Sequence, residues 1–194
     1  MKPASFDHLL PTSLHEALEM LNTHAPDARP LAGGQSLVPM MNFRLARPTV
    51  LVDLNRISDL AYISDAGDHL AIGAMTRERT IENSGLVRTA TPLLYDATLH
   101  IGHLPIRSRG TIGGSLSNAD PAAEYPATVL ALDATLVAQS VRGERTIPAA
   151  EFFDGVMTTT LEPDEILTEI RMPKAPPGSG SALVEISRRH GDFA

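Results

Sequence analysis

Cysteine and tryptophan are both absent from the 194 residues, and aromatic side chains make up only 4%. Without cysteine the chain forms no disulfide, offers no thiol nucleophile and holds no thiolate-ligated iron–sulfur cluster of its own. Basic residues are outnumbered, 16 Lys and Arg against 23 Asp and Glu, for a net charge of -7. A chain so charged has no cationic excess with which to release counterions, which argues against nucleic acid or an anionic membrane as the main partner. It does not exclude a small anionic ligand, because backbone N–H groups can hold one and formal charge does not count them. No long apolar run occurs, so no membrane span is expected. The start, Met1-Lys2-Pro3-Ala4-Ser5-Phe6-Asp7, lacks the apolar stretch of a signal peptide, and a cytoplasmic location is the expectation.

What is present is an ordinary core composition, 43% hydrophobic and 20% charged, in a chain long enough for one large domain or two modest ones. Ser13 and Glu16 have capping-box spacing ahead of Leu14, Ala17, Leu18 and Leu21 on one face, so a helix is predicted over 13–23. Short apolar strands are predicted at 29–32 and 49–54, around a glycine-bearing loop and the segment 37–47. A hairpin is expected at 61–64 and 69–73, then helices near 77–83 and 86–100. A helix over 122–132, strands at 135–141, 145–147 and 166–172, and a Pro/Gly linker at 173–180 follow. Past the linker, residues 182–186 read as the start of a strand.

Two glycine segments stand out. Leu31-Ala32-Gly33-Gly34-Gln35-Ser36-Leu37 follows a predicted strand, and Arg109-Gly110-Thr111-Ile112-Gly113-Gly114-Ser115 repeats the chemistry far downstream. Paired glycines let successive N–H groups point into one concavity and let a ligand approach the backbone closely. Ser36, Thr111 and Ser115 add hydroxyls. A single Gly-Gly pair is more often a turn; two hydroxyl-bearing segments point to jaws around a pyrophosphate. Neither segment is a G-x-G-x-x-G or a G-x-x-x-x-G-K-[ST], so Rossmann and P-loop sites are not supported. About five charge-assisted bonds at ~1.5–3 kcal/mol each are largely offset by an association cost of ~4–15 kcal/mol. Apolar cover for ring systems is therefore needed, and Leu31, Leu37, Val38, Ile101, Leu104, Ile106 and Leu116 flank the loops; each could equally be ordinary core.

Other residues admit two readings. Glu124, at the start of a predicted helix, could accept from ribose hydroxyls or simply complement the helix end. Asp120, four residues earlier, makes an acid–base carboxylate pair conceivable. His100 and His103 could share a helical face as metal ligands or act as a helix-end pair. Arg107 and Arg109 could tune an anion's field or face solvent.

Taken together the motifs resemble the FAD-binding medium subunit of the molybdenum hydroxylases, the family of aerobic carbon monoxide dehydrogenase and xanthine dehydrogenase. The resemblance runs over nearly the whole chain: Lys2 to Phe6, the A-G-G-Q-S-L-V-P run from Ala32, Arg47-Pro48, Ile101-Gly102-His103, Ile106 to Gly114, Asn118 to Glu124, and Arg188 to Ala194. It implies an α+β, two-lobed, vanillyl-alcohol-oxidase-like (PCMH-type) FAD-binding fold, with lobes at 1–57 and 58–177 and the start of a further C-terminal domain at 178–194. Leu31, Ala32, Gly33, Gly34, Gln35, Ser36 and Leu37 would clasp the pyrophosphate from one lobe. Thr111, Ile112, Gly113, Gly114 and Ser115 would do so from the other. Ile101 would lie against the flavin, Gly110 and Ser117 would line the crevice, Glu124 would meet the ribose, and Ile166 and Leu167 would pack near the adenine. Ser115 stands where relatives usually have Asn or Asp. Val184 and Glu185 stand where relatives often carry a flavin-reaching lysine. The resemblance further implies an electron-transfer flavoprotein with no catalytic side chain and no metal of its own, partnered by a molybdopterin-binding large subunit and a 2Fe-2S small subunit. The rival expectation is a nucleotide-binding or assembly module without redox turnover.

Overall fold

The computed structural model describes residues 2–189 and 191–194. Met1 and His190, both within segments quoted above, lie outside the described residues.

The chain opens with β1 (Asp7–Leu9) and α1 (Leu14–His24), then β2 (Ala28–Leu31), α2 (Leu37–Asn42) and β3 (Val50–Asp53). The Ser13 hydroxyl accepts from the Glu16 N–H, and the Glu16 carboxylate accepts from the Thr12 N–H at 2.7 Å, so the predicted cap fixes the start of α1. Ala17, Leu18 and Leu21 form its buried stripe. β1, which the sequence reading missed, pairs parallel with β3, as does β2, giving the order β1-β3-β2. Three buried residues in a row, Val50, Leu51 and Val52, suit a central strand covered on both faces.

β4 (Ile63–Asp65) and β5 (His69–Gly73) form the expected hairpin. The predicted helical stretches become α3 (Glu78–Glu82), α4 (Gly85–Ala90) and α5 (Pro92–His100). The stretch 86–100 is broken because Pro92 lacks an N–H and restricts Thr91, which leaves the helical region at φ -138° and ψ 69°. After α6 (Leu104–Arg107), the second glycine segment winds into α7 (Ile112–Asn118), followed by α8 (Glu124–Ala131). β6 (Thr135–Ser140), β7 (Gly143–Pro148), α9 (Ala149–Phe152), the small pair β8 (Phe153–Gly155) and β9 (Thr158–Thr159), and β10 (Ile166–Pro173) complete the elements.

The larger sheet runs β4-β5-β10-β6-β7 and is antiparallel throughout. Its central strand β10 sends successive side chains to opposite faces. Ile166 joins the core under the parallel sheet, with Val50, Leu54, Leu60 and Met75. Leu167 joins the other core, with Ile72, Ile112, Leu116 and Tyr125 beneath the helices. One strand therefore ties the two halves together.

The strand expected at 182–186 does not form: this segment has no regular structure, and Val184 and Ile186 are 88% and 89% exposed. Among the described residues, no helix is long and apolar enough to cross a membrane.

Candidate functional site

The two glycine segments meet. A Cβ built on Gly33 would lie 2.4 Å from the Arg109 carbonyl oxygen and 2.7 Å from the Gly110 Cα. One built on Gly114 would lie 2.8 Å from the Thr111 hydroxyl and 3.3 Å from the Ala32 Cβ. At Gly33 the blocking atoms are backbone and leave no room for a side chain, so glycine is what lets the two segments touch; at Gly114 the nearest atom is the end of a side chain.

Their amides are used differently. In the second segment the Ile112 N–H donates to the Thr76 carbonyl and the Gly113 N–H to the Ala74 carbonyl at 2.9 Å. The Gly114 N–H donates to the Thr111 hydroxyl at 3.1 Å, and the Ser115 N–H to the Thr111 carbonyl. In the first segment the amides of Gly33, Gly34, Gln35, Ser36 and Leu37 have no acceptor among the described residues. Ser36 gives α2 no side-chain cap, and Gly34 sits at φ +73°, a conformation that glycine adopts without strain. The two segments expected to clasp a pyrophosphate therefore differ in the donors they leave open. The first loop offers a row of open donors; in the second, the amides of Ile112 to Ser115 are taken by the Thr76 and Ala74 carbonyls and by Thr111, and only the Thr111 N–H has no acceptor among the described residues.

A polar clamp that the sequence reading missed locks this arrangement. Asn55 donates to the Ala32 carbonyl at 2.9 Å and accepts from Arg77 at 2.6 Å, while Arg77 also donates to the Arg109 carbonyl. Each loop thus presents a carbonyl to one Arg–Asn pair. Burial and the neighbouring Arg109 hold the Arg77 guanidinium below its usual pKa. Behind the clamp lies a cavity of about 180 Å³ lined by Leu54, Asn55, Met75 and Arg77. That is smaller than typical ligand pockets of ~300–1,000 Å³, so it cannot house a dinucleotide.

The remaining sequence-predicted residues divide. Ser117 is exposed and Ser115 half-buried on α7, whose opposite side buries Ile112 and Leu116. Glu124 opens α8, half-buried. Burial raises its carboxyl pKa, its own N–H opposes this, Glu185 and Asp120 add to the rise, and His100 counters it. Asp120 is engaged in a local turn, accepting from the Ala122 N–H at 2.9 Å. Ile101 ends α5 and is 8% exposed, with its side chain in the helical core. Ile166 and Leu167 are 2% and 5% exposed. All three side chains are covered by protein, so only main-chain atoms there could face a ligand. Arg107 is locked by Glu82 at 3.0 Å and by the Ile101 and Gly102 carbonyls, which makes it a structural brace. Arg109 keeps an exposed side chain. His100 and His103 sit on either side of the break between α5 and α6, and no group of His or carboxylate residues able to hold a metal exists among the described residues.

The family model for the FAD-binding domain in molybdopterin dehydrogenase matches residues 4–175. The chain belongs to that family. It is 47% identical over its full length to the 6-hydroxypseudooxynicotine dehydrogenase complex subunit alpha of Paenarthrobacter nicotinovorans, covering 66% of that protein. It is 46% identical to the caffeine dehydrogenase subunit beta of a Pseudomonas strain, again across the whole chain and 66% of the relative. The solved carbon monoxide dehydrogenase of Hydrogenophaga pseudoflava superposes with a TM-score of 0.98 at 41% identity, over all of this chain and 68% of that one. The chain thus spans about two thirds of the length of the curated relatives it matches. These matches bear out the α+β PCMH-type fold expected from the motifs.

As a member of the FAD-binding domain family, the chain can be tested against its cofactor. Residues 33–37 supply open donors for a diphosphate, and the glycine contact keeps side chains out of that space. The orphaned Oε2 of Glu78, buried beside the second loop, is a further polar atom at the contact. The residues fit FAD.

Proposed function

We propose that this chain carries FAD as the electron-transfer part of a molybdopterin-containing dehydrogenase. A 2Fe-2S small subunit delivers the electrons, a molybdopterin-binding large subunit oxidises the substrate, and an external acceptor is reduced. The bound FAD supplies the redox chemistry. The chain's own residues bind and orient it: the amides of 33–37 hold the diphosphate, the Gly33–Gly110 contact sets the width of the crevice, and Asn55 and Arg77 keep the loops in register. Thr111, Ile112, Gly113, Gly114, Ser115 and Ser117 form the facing wall, and Glu124 receives the ribose. Ile101, Ile166 and Leu167 contribute main-chain surface near the rings. The two lobes divide near residue 57, in keeping with the separate three-stranded and five-stranded sheets, and the protein works in the cytoplasm.

The observation that carries this reading is the row of open amides abutting a glycine wall. Purified protein is expected to be yellow, or to turn yellow with added FAD, and its visible absorbance to bleach with dithionite. Colourless protein that takes up no FAD would favour an assembly module without redox turnover.

A further inference from the structure

Glu78 opens α3 and is 4% exposed, yet its Oε2 has no hydrogen-bond partner among the described residues. Its N–H donates to the Gly110 carbonyl at 3.1 Å. Its carboxyl lies flat against Gly110, where a Cβ would sit 2.5 Å from Oε1 and 2.7 Å from Oε2. The Gly110 Cα in turn lies 2.7 Å from where a Gly33 Cβ would be. Glu78, Gly110 and Gly33 therefore form a stack, with the carboxyl one glycine away from the first loop.

We propose that Glu78 is a positioning residue for the loop contact that works as an uncharged carboxylic acid, so that FAD is held with Glu78 protonated and loosened when the proton leaves. This rests on the FAD-binding reading above.

The surroundings fit a neutral acid. On its own helix, the Arg77 guanidinium is turned to Asn55 and the Arg109 carbonyl. From α6, Arg107 is spent on Glu82 and two carbonyls. From α8 come the Glu124 carboxyl and Tyr125, whose hydroxyl is engaged with Thr98 at 3.0 Å. Both cations are committed elsewhere, and the nearby carboxylate repels. Burial first, then Glu124, push the Glu78 pKa up to about 7, against the pull of Arg107 and Arg77. A raised carboxyl lends stability that is complete below its unfolded value and is lost as pH rises through the folded value, here about 7. Above that, an unpaired charge beneath Gly110 draws water under the loop and separates Gly110 from Gly33. By reciprocity, whatever closes the contact also favours the proton.

The test is FAD titration of the purified protein, wild type, Glu78→Gln and Glu78→Ala, by flavin fluorescence from about pH 6 to about pH 8.5, with FAD-free melts from about pH 4.5 to about pH 8.5. Glutamine copies the neutral acid in shape and in its donor. Wild-type Kd is expected to weaken with pH, about tenfold for each unit by which FAD shifts the Glu78 pKa. Glu78→Gln should bind tightly with that pH dependence removed, and Glu78→Ala weakly throughout. Matching pH profiles for wild type and Glu78→Gln would overturn the proposal, as would loss of FAD from Glu78→Gln at every pH. If no form binds FAD, the cofactor reading fails by itself. The melts then decide on Glu78: a midpoint that falls with pH in wild type but not in Glu78→Gln supports the neutral acid, and parallel curves refute it.

Discussion

The first and second glycine segments read almost alike, A-G-G-Q-S against T-I-G-G-S, yet one leaves its amides open and the other has those of Ile112 to Ser115 bonded. The difference lies in the neighbours of the glycines. Thr111 caps a helix, and Ile112 and Leu116, four apart, bury one side of it, so α7 forms although its interior holds two glycines and two serines. In the first segment, Gly34 turns the chain at positive φ and α2 starts later, uncapped. Glycine content alone does not tell a donor nest from a packing surface; the spacing of the apolar residues beside it does.

Substitutions that put the two segments to different tests should differ in size. Gly33→Val is expected to act most strongly, because its side chain has only backbone to push against, the Arg109 carbonyl and Gly110 Cα. Overpacking of about 1–3 kcal/mol or more, with loss of bound FAD, should show in the melting midpoint and visible spectrum. Retention of full flavin occupancy would mean that the loops need not touch. Arg77→Met removes the shared clamp and leaves the Asn55 and Arg109 oxygens without their donor. A loss of about 1–3 kcal/mol and weaker FAD binding are expected; a change in stability with an unaltered Kd would limit the clamp to a scaffold role. Gly114→Ala should act least, since its near contact is the Thr111 hydroxyl, which can rotate away at the price of a helix cap, about 1 kcal/mol. If it outweighed Gly33→Val, the open donors would have been assigned to the wrong loop.

Much of the frame was legible beforehand. The capped α1, the β4–β5 hairpin and the strands at 135 and 166 each announce themselves by period or turn residues. The glycine segments and their A-G-G-Q-S and T-I-G-G signatures pointed to the family. β1 was not legible, being three residues whose strand character comes from pairing with distant β3. Nor were Asn55, Arg77 and Glu78, whose neighbours along the chain carry no hint of the carbonyls and glycine they meet in space. A buried glutamate looks like any surface glutamate until the element packed over it is known. The strand expected at 182–186 erred the other way: the local pattern was present, but these residues pair with no described strand.

The position of β10 sets an order of events. β10, the last of the described strands, lies in the middle of the larger sheet, hydrogen-bonded to β5 on one side and β6 on the other. During synthesis those two strands wait, unpaired with each other, until residue 173 clears the ribosome, and only then can both cores close around Ile166 and Leu167. The cofactor crevice therefore forms only once β10 has arrived, and nearly all at once.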